Sequence, residues 1–204
     1  MAYKYDIFIS YRRNEEALRW IRKHFIPILQ LRVEFELGRK PILYIDEQLE
    51  AGTSWPVKLG EEIGQSRILI PLWSKNYLNS RWCTCEISHM VERENSVGYP
   101  RRTGGYGLII PVVIHDGESM PPRISGIQKI EIQKCFNVRM SADSSKAEEL
   151  DDRLNDAAAG IATAIDKAPA WKKDWKIQAM NKFYKEFYKG QTSKQARLPK
   201  YTSR

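Results

Sequence analysis

Tyr5-Asp6-Ile7-Phe8-Ile9-Ser10-Tyr11, followed at once by Arg12-Arg13-Asn14, is the stretch that decides the fold. The apolar run is short, lacks helical spacing and is closed by charge, so it reads as a strand. Asn14 is a ready cap for the next helix, and Glu15 and Glu16 suit the positive end of its dipole. Leu18, Ile21, Phe25, Ile28 and Leu31 then recur every three or four residues and predict one apolar face, with Pro27 kinking that helix or splitting it. Ile42 to Ile45 is a second strand, and a helix from about Trp55 to Gln65 follows a polar loop around Gly52. Arg67 to Trp73 is apolar almost throughout, as expected of a central strand covered on both faces. A helix from Arg81 to about Glu94, a buried strand from Leu108 to Ile114, an alternating edge strand from Ile127 to Ile132 and a helix from Glu148 to Lys167 complete the series. Strands alternating with helices predict an α/β domain with a mainly parallel sheet.

The chain has 204 residues with 42% hydrophobic side chains, enough for one full domain and an appendage. The longest apolar runs, Ile68 to Trp73 and Leu108 to Ile114, fall far short of the roughly 20 residues that cross a bilayer. The amino terminus turns directly into a strand, without the apolar region of a secretory leader. Three cysteines, two of them as close as Cys83 and Cys85, suit a reduced setting, and the expected location is cytoplasmic.

The net charge of +8 resides in a tail. Residues 1–170 hold 23 basic and 23 acidic side chains, whereas residues 171–204 hold ten basic ones against Asp174 and Glu186. The division expected is a neutral domain over residues 1–168 and a basic, aromatic, amphipathic helix and tail over 169–204. Met180, Phe183, Tyr184 and Phe187 fall on one side of that helix, and Lys182, Lys185 and Lys189 on the other. Docking of the aromatic face on the domain or on a partner protein is the preferred reading; contact with nucleic acid or a membrane surface is the alternative.

Common catalytic signatures are absent: no phosphate-binding G-x-x-x-x-G-K-[ST], no strand-linked G-x-G-x-x-G and no G-x-S-x-G. Cys83, Cys85 and His89 do not make a zinc site, since a helix turns the two cysteines to nearly opposite sides and no fourth ligand is near. No metal is expected. Glu86 sits one turn into a helix, where a carboxylate commonly complements the dipole. Trp82, four residues earlier, lies on the same face and can wall a pocket whose charge is Glu86.

Three segments carry a family resemblance. Tyr5 to Asn14 resembles the first-strand signature of Toll/interleukin-1 receptor (TIR) domains. Tyr44-Ile45-Asp46-Glu47-Gln48-Leu49-Glu50-Ala51-Gly52 resembles their second strand and the loop after it. Ser80-Arg81-Trp82-Cys83-Thr84-Cys85-Glu86 resembles the Trp-x-x-x-Glu helix start of the enzymatic members. The likeness extends over roughly residues 3–168 and is strongest to bacterial stand-alone TIR NADases and the TIR domain of the animal axon-degeneration NADase. It implies a flavodoxin-like fold with five mainly parallel strands, helices on both faces and a C-terminal helical extension.

The activity implied is an NAD+ glycohydrolase or ADP-ribosyl cyclase, with NAD+ as substrate and no cofactor. It would cleave the nicotinamide–ribose bond in immune signalling or antiviral defence, activated by TIR–TIR self-association, with a partner protein in a defence system possible. A non-catalytic TIR adaptor is the competing class. By resemblance Glu86 is catalytic, and Trp82, Arg13, Trp55, Ser10, Asp46 and Glu50 bind substrate. Their plainer readings are a solvated turn for Arg12-Arg13, packing for Trp55 and turn formation for Asp46 and Glu50. Trp55 also stands one residue further from Leu49-Glu50-Ala51-Gly52 than the stacking aromatic of the animal enzyme.

Overall fold

A computed structural model describes residues 2–45, 55–99, 107–117 and 128–175. Five strands form one sheet: β1 (Tyr5–Tyr11), β2 (Leu43–Ile45), β3 (Ser66–Trp73), β4 (Val112–Val113) and β5 (Ile130–Glu131). Their order is β2-β1-β3-β4-β5 and every pairing is parallel. The helices are α1 (Glu15–Trp20), α2 (Ile26–Leu37), α3 (Trp55–Gly64), α4 (Lys75–Leu78), α5 (Arg81–Val97) and α6 (Ser145–Asp166). This is the flavodoxin-like α/β arrangement implied by the sequence.

The two-residue period of a strand sorts the core into two layers. Ile7 and Ile9 of β1 and Ile68, Ile70 and Leu72 of β3 join Phe25, Leu29, Leu150, Leu154 and Ile161 in one buried cluster. Phe8, Leu69 and Trp73 point the other way and pack with Leu59, Ile63, Tyr77, Ile87 and Met90. Both faces of the sheet are therefore covered, by α1, α2 and α6 on one side and α3 to α5 on the other.

Asp6 pins the foot of the sheet. Its carboxylate accepts from Arg39 Nη1 and Nη2 at 2.7 and 2.8 Å and from the Ile42 N–H at 2.9 Å, with Arg67 Nε at 3.3 Å. Burial works against its charge, but the Arg39 and Ile42 hydrogen bonds and the two guanidinium charges outweigh that and hold the carboxyl below its ordinary value.

Three expectations are corrected. The first long helix is split not at Pro27 itself but just before it, by a π-helical turn over Ile21–Phe25 in which the Ile26 N–H reaches back to Ile21 O. Pro27, without an N–H, then opens α2. The buried face runs through Trp20, Ile21, Phe25, Leu29 and Val33, and Leu31, two residues from both Leu29 and Val33 and so on the opposite side of α2, is 48% exposed rather than buried as expected. In the fourth strand, Leu108 to Ile114 is buried as expected, yet its ladder to β3 is broken into a bridge at Leu69–Ile109 and the pair β4. Pro71 lies between the Leu69 and Leu72 pairings and has no N–H to donate. The expected edge strand shortens to Ile130–Glu131, with Ile130 and Ile132 buried and Glu131 exposed.

At the carboxyl-terminal end, α6 stops at Asp166, and the chain returns under the sheet. Tyr3 Oη donates to Pro169 O at 2.6 Å, and Trp171 Nε1 donates to Gly64 O at 3.1 Å. Trp175 is 3% exposed, stacks against Tyr3 and lies 4.6 Å from the Arg93 guanidinium. Arg93 is itself buried and donates to Ser66 O at 2.6 Å and Ile63 O at 3.0 Å. Burial lowers its pKa to about 10, against the pull of Tyr3, so it stays charged near neutrality. The predicted helix from Met180 to Lys189 lies outside the described residues. Among the described residues no helix is long and apolar enough to cross a membrane.

Two outcomes follow from these anchors. Trp175→Ala should cost about 3 kcal/mol of stability in urea unfolding, as expected for emptying a buried indole site. Because the Asp6 carboxyl is lowered in the folded state, its contribution is complete above about pH 3.9, the unfolded value, and is lost as pH falls through the folded value. Asp6→Asn should therefore be destabilised most at neutral pH, and the gap to the parent should close on acidification, read from melting temperatures across pH 2 to 7.

Candidate functional site

In a parallel sheet ordered 2-1-3-4-5 the chain leaves β1 toward one side and β3 toward the other, so a crevice opens beyond their carboxyl ends. Here the crevice holds a cavity of about 280 Å³, with Ser10, Arg12, Arg13, Trp82, Cys83 and Glu86 in its lining.

Each side chain arrives for a local reason. Ser10 is the last buried residue of β1 and shares its face with Phe8, toward α3 to α5. Asn14 Oδ1 accepts from the Glu16 and Ala17 N–H groups at 2.9 and 3.0 Å, which starts α1 and leaves Arg12 and Arg13 exposed in the turn. Ser74 caps α4 through the Tyr77 N–H at 3.2 Å. The Tyr77 ring stacks on Trp73, centroids 5.6 Å apart. Ser80 caps α5 by accepting from the Cys83 N–H at 3.5 Å, and Thr84 Oγ1 donates back to Ser80 O at 2.9 Å. One turn into α5, Trp82 and Glu86 share a face.

Glu86 is 5% exposed, an expensive place for a carboxylate unless it is hydrogen-bonded. Ser10 Oγ donates to its Oε2, and Tyr77 Oη lies 2.6 Å from Ser10 Oγ. Burial, with the neighbouring Cys83 and Glu86 groups adding to it, pushes the Tyr77 phenol well above its ordinary value. Burial and Glu86 likewise push the Cys83 thiol up. Both groups stay protonated near neutrality, so Cys83 offers no thiolate nucleophile. Glu86 is the sole acidic group among the described lining residues, and Arg12 and Arg13 supply the positive charge at the rim. Arg12 Nη1 donates to Asn76 O at 3.1 Å, which ties the rim to α4.

A larger cleft of about 460 Å³ lies on the far side of the same arginines, with Asn14, Ser74, His115, Asp116 and Phe136 in its lining. Asp116 has φ 51° and pairs with His115 Nδ1 at 2.7 Å.

Of the residues singled out in the sequence, Ser10, Arg13, Trp82 and Glu86 line one cavity. Trp55 is the first residue of α3, and its side chain lies outside what is described. Asp46 and Glu50 fall outside the described residues. Cys83 and Cys85 are buried in one apolar cluster, and His89 Nε2 sits 3.0 Å from Arg93 Nη2. Among the described residues no group of three His, Cys, Asp or Glu side chains could hold a metal ion. Sequence reasoning missed Tyr77. The available signal was Ser74-Lys75-Asn76-Tyr77, a capping serine directly after a buried strand and before the Trp82 helix.

A family model described as the TIR domain matches residues 7–140. Among curated proteins, the chain is 28% identical over 162 residues to Protein SUPPRESSOR OF npr1-1, CONSTITUTIVE 1 of Arabidopsis thaliana, covering 79% of this chain and 10% of that one. It is 31% identical over 90 residues to the TMV resistance protein N of Nicotiana glutinosa, covering 44% of this chain and 7% of the relative. It is 26% identical over 168 residues to the disease resistance protein RPS6 of Arabidopsis thaliana, covering 81% and 13%. The chain thus spans about a tenth of the length of these relatives. Among solved structures, the TIR domains of the activated Roq1 resistosome align with TM-score 0.36 and 22% identity over 76% of this chain and 84% of theirs.

Proposed function

Since the chain belongs to the TIR-domain family, we propose that it is an NAD+ nucleosidase that releases nicotinamide and leaves ADP-ribose or a cyclic isomer. The observation that carries this reading is the buried Glu86 carboxylate, held by Ser10 and facing the same cavity as Trp82. The chemistry suits one carboxylate. Nicotinamide departs from a cationic pyridinium as a neutral ring, so the leaving group needs no proton, unlike the two-carboxylate arrangement of ordinary glycosidases. Positive charge develops on the ribose as the bond lengthens. A fixed anion in a site largely withdrawn from water stabilises that charge without having to reorganise.

The remaining lining groups take roles consistent with their position. Trp82 gives the cavity a flat apolar wall, and Arg12 and Arg13 stand where a pyrophosphate would leave it. A cavity of about 280 Å³ is small for a whole dinucleotide, which supports completion of the site by the Asp46 to Trp55 loop of a second copy. Activity would then depend on TIR–TIR association. Relatives named as disease resistance proteins support a role in immunity, and antiviral defence from the cytoplasm, with a partner protein as trigger, is the specific form proposed.

Glu86→Gln keeps the side chain's shape and removes its charge. Nicotinamide release from NAD+, followed by chromatography and mass spectrometry, should fall by roughly 10²–10³-fold while the melting temperature is retained. Undiminished turnover in this variant would overturn the assignment and leave association alone as the function. Specific activity should also climb with protein concentration. Turnover strictly proportional to enzyme over a wide dilution series, in a protein shown by light scattering to be monomeric, would contradict the shared site.

A further inference from the structure

Tyr77 occupies a position where a phenylalanine would satisfy the packing. Its ring is fully buried and stacks on Trp73 at 5.6 Å with an interplanar angle of 25°. A hydroxyl in such a place carries a desolvation cost that only a hydrogen bond offsets. It has two neighbours: Ser10 Oγ at 2.6 Å and the Cys83 carbonyl at 3.4 Å.

The direction of these bonds follows from proton counting. A serine hydroxyl has one proton and two lone pairs, and an ionised carboxylate only accepts. Ser10 spends its proton on Glu86 Oε2, so at the 2.6 Å contact it must accept and Tyr77 must donate. The Cys83 carbonyl is the more distant acceptor. The three groups therefore form a one-way chain, Tyr77 Oη–H to Ser10 Oγ–H to Glu86 carboxylate, drawn from α4, β1 and α5.

We propose that Tyr77 is a positioning residue: by donating to Ser10 it fixes the serine proton on Glu86 and so holds the carboxylate in its charged, cavity-facing orientation. This rests on Glu86 being the catalytic anion, but it assigns a function to a residue that touches neither the cavity nor a ligand. Hydrogen bonds in series polarise one another, so the terminal bond to Glu86 is stronger with the phenol than without it. Without the phenol that polarisation is lost, and the Ser10 hydroxyl has one hydrogen bond fewer to fix its orientation toward the carboxylate. Ser74, which caps α4, and Ser80, which caps α5, aim the two outer members of the chain at the middle one.

Tyr77→Phe tests the proposal, because the ring and its stacking survive while the donor is lost. With NAD+ the variant should show kcat lowered about tenfold, KM within about twofold, and the acid limb of its kcat profile moved to higher pH, since a carboxylate deprived of a donor binds its proton more readily. In a Ser10→Ala background the same substitution should cost nothing further; equal losses in both backgrounds would mark a general packing effect and overturn the relay. Carbon-13 detection of the Glu86 side-chain carboxyl, assigned by its absence in Glu86→Gln, reads the coupling without turnover. Its titration should move to higher pH in Tyr77→Phe and in Ser10→Ala alike. If the parent protein does not cleave NAD+ but the carboxyl titration moves, the relay stands and the nucleosidase reading falls. If the parent cleaves NAD+ and Tyr77→Phe matches it in kcat, acid limb and carboxyl titration, the relay falls and the nucleosidase reading stands.

Discussion

The Asp6 carboxylate, buried at the foot of β1 and shared between Arg39, Arg67 and the Ile42 N–H, sets the register on which the rest of the molecule depends. It joins the first strand to the segment leading into β2 and to the second residue of β3. From that point the ladder counts upward in pairs, Ile7 with Leu43 and Ile68, Ile9 with Ile45 and Ile70, until Ser10 stands opposite Pro71 at the crest. A slip of one residue would exchange every inward side chain for an outward one. Ser10 would then turn toward α1 and α2 and lose both Glu86 and Tyr77. An ion pair four residues of chain from Ser10 thus governs the cavity through the parity of a strand.

Helix α5 joins the two ends of the sheet. Glu86 lies near its start, and Arg93, seven residues later, returns to the same face about 10 Å further along the axis. Each is buried and hydrogen-bonded, the glutamate by a serine hydroxyl and the arginine by the carbonyls of Ile63 and Ser66. Leaving either buried charge without its partners would be costly, so the helix is constrained in both rotation and translation. Trp175 closes the lower end by covering Arg93. The carboxyl-terminal segment therefore contacts, through Trp175, the very helix that presents Glu86.

Much of this was legible in the sequence where a single period or a single cap carries the information. The first strand, the Asn14 cap, the burial of Leu150, Leu154, Ala158, Ile161 and Ile165 and the pairing of Trp82 with Glu86 all follow from local spacing. Features that need a change of period were not legible. The π turn at Ile21–Phe25 rotates less per residue than the uniform helical projection assumes, and Leu31, expected on the apolar face, lies opposite Leu29 and Val33 and faces water. The break opposite Pro71 depends on which of two neighbours that residue would have served, which is a property of the assembled sheet. Tyr77 escaped notice for the same reason: its hydroxyl matters only once β1, α4 and α5 are brought together.

The cavity's charge is arranged by depth. Glu86 is buried with its protonated neighbours Tyr77 and Cys83, whose raised pKa values keep them from competing for negative charge. Arg12 and Arg13 are exposed at the rim. A ligand that is cationic at one end and anionic some way along it matches both, and one of uniform sign is repelled at one level or the other. A pyridinium ring joined through ribose to a pyrophosphate has that polarity. On the proposed reading the same depth ordering would make the site responsive to its product, since loss of the pyridinium charge would remove the attraction to Glu86 while the phosphates kept theirs to the rim. Under the proposed nucleosidase reading, nicotinamide, neutral and small, would be the fragment held least, and the nucleotide portion would stay where a second nucleophile can reach the ribose carbon.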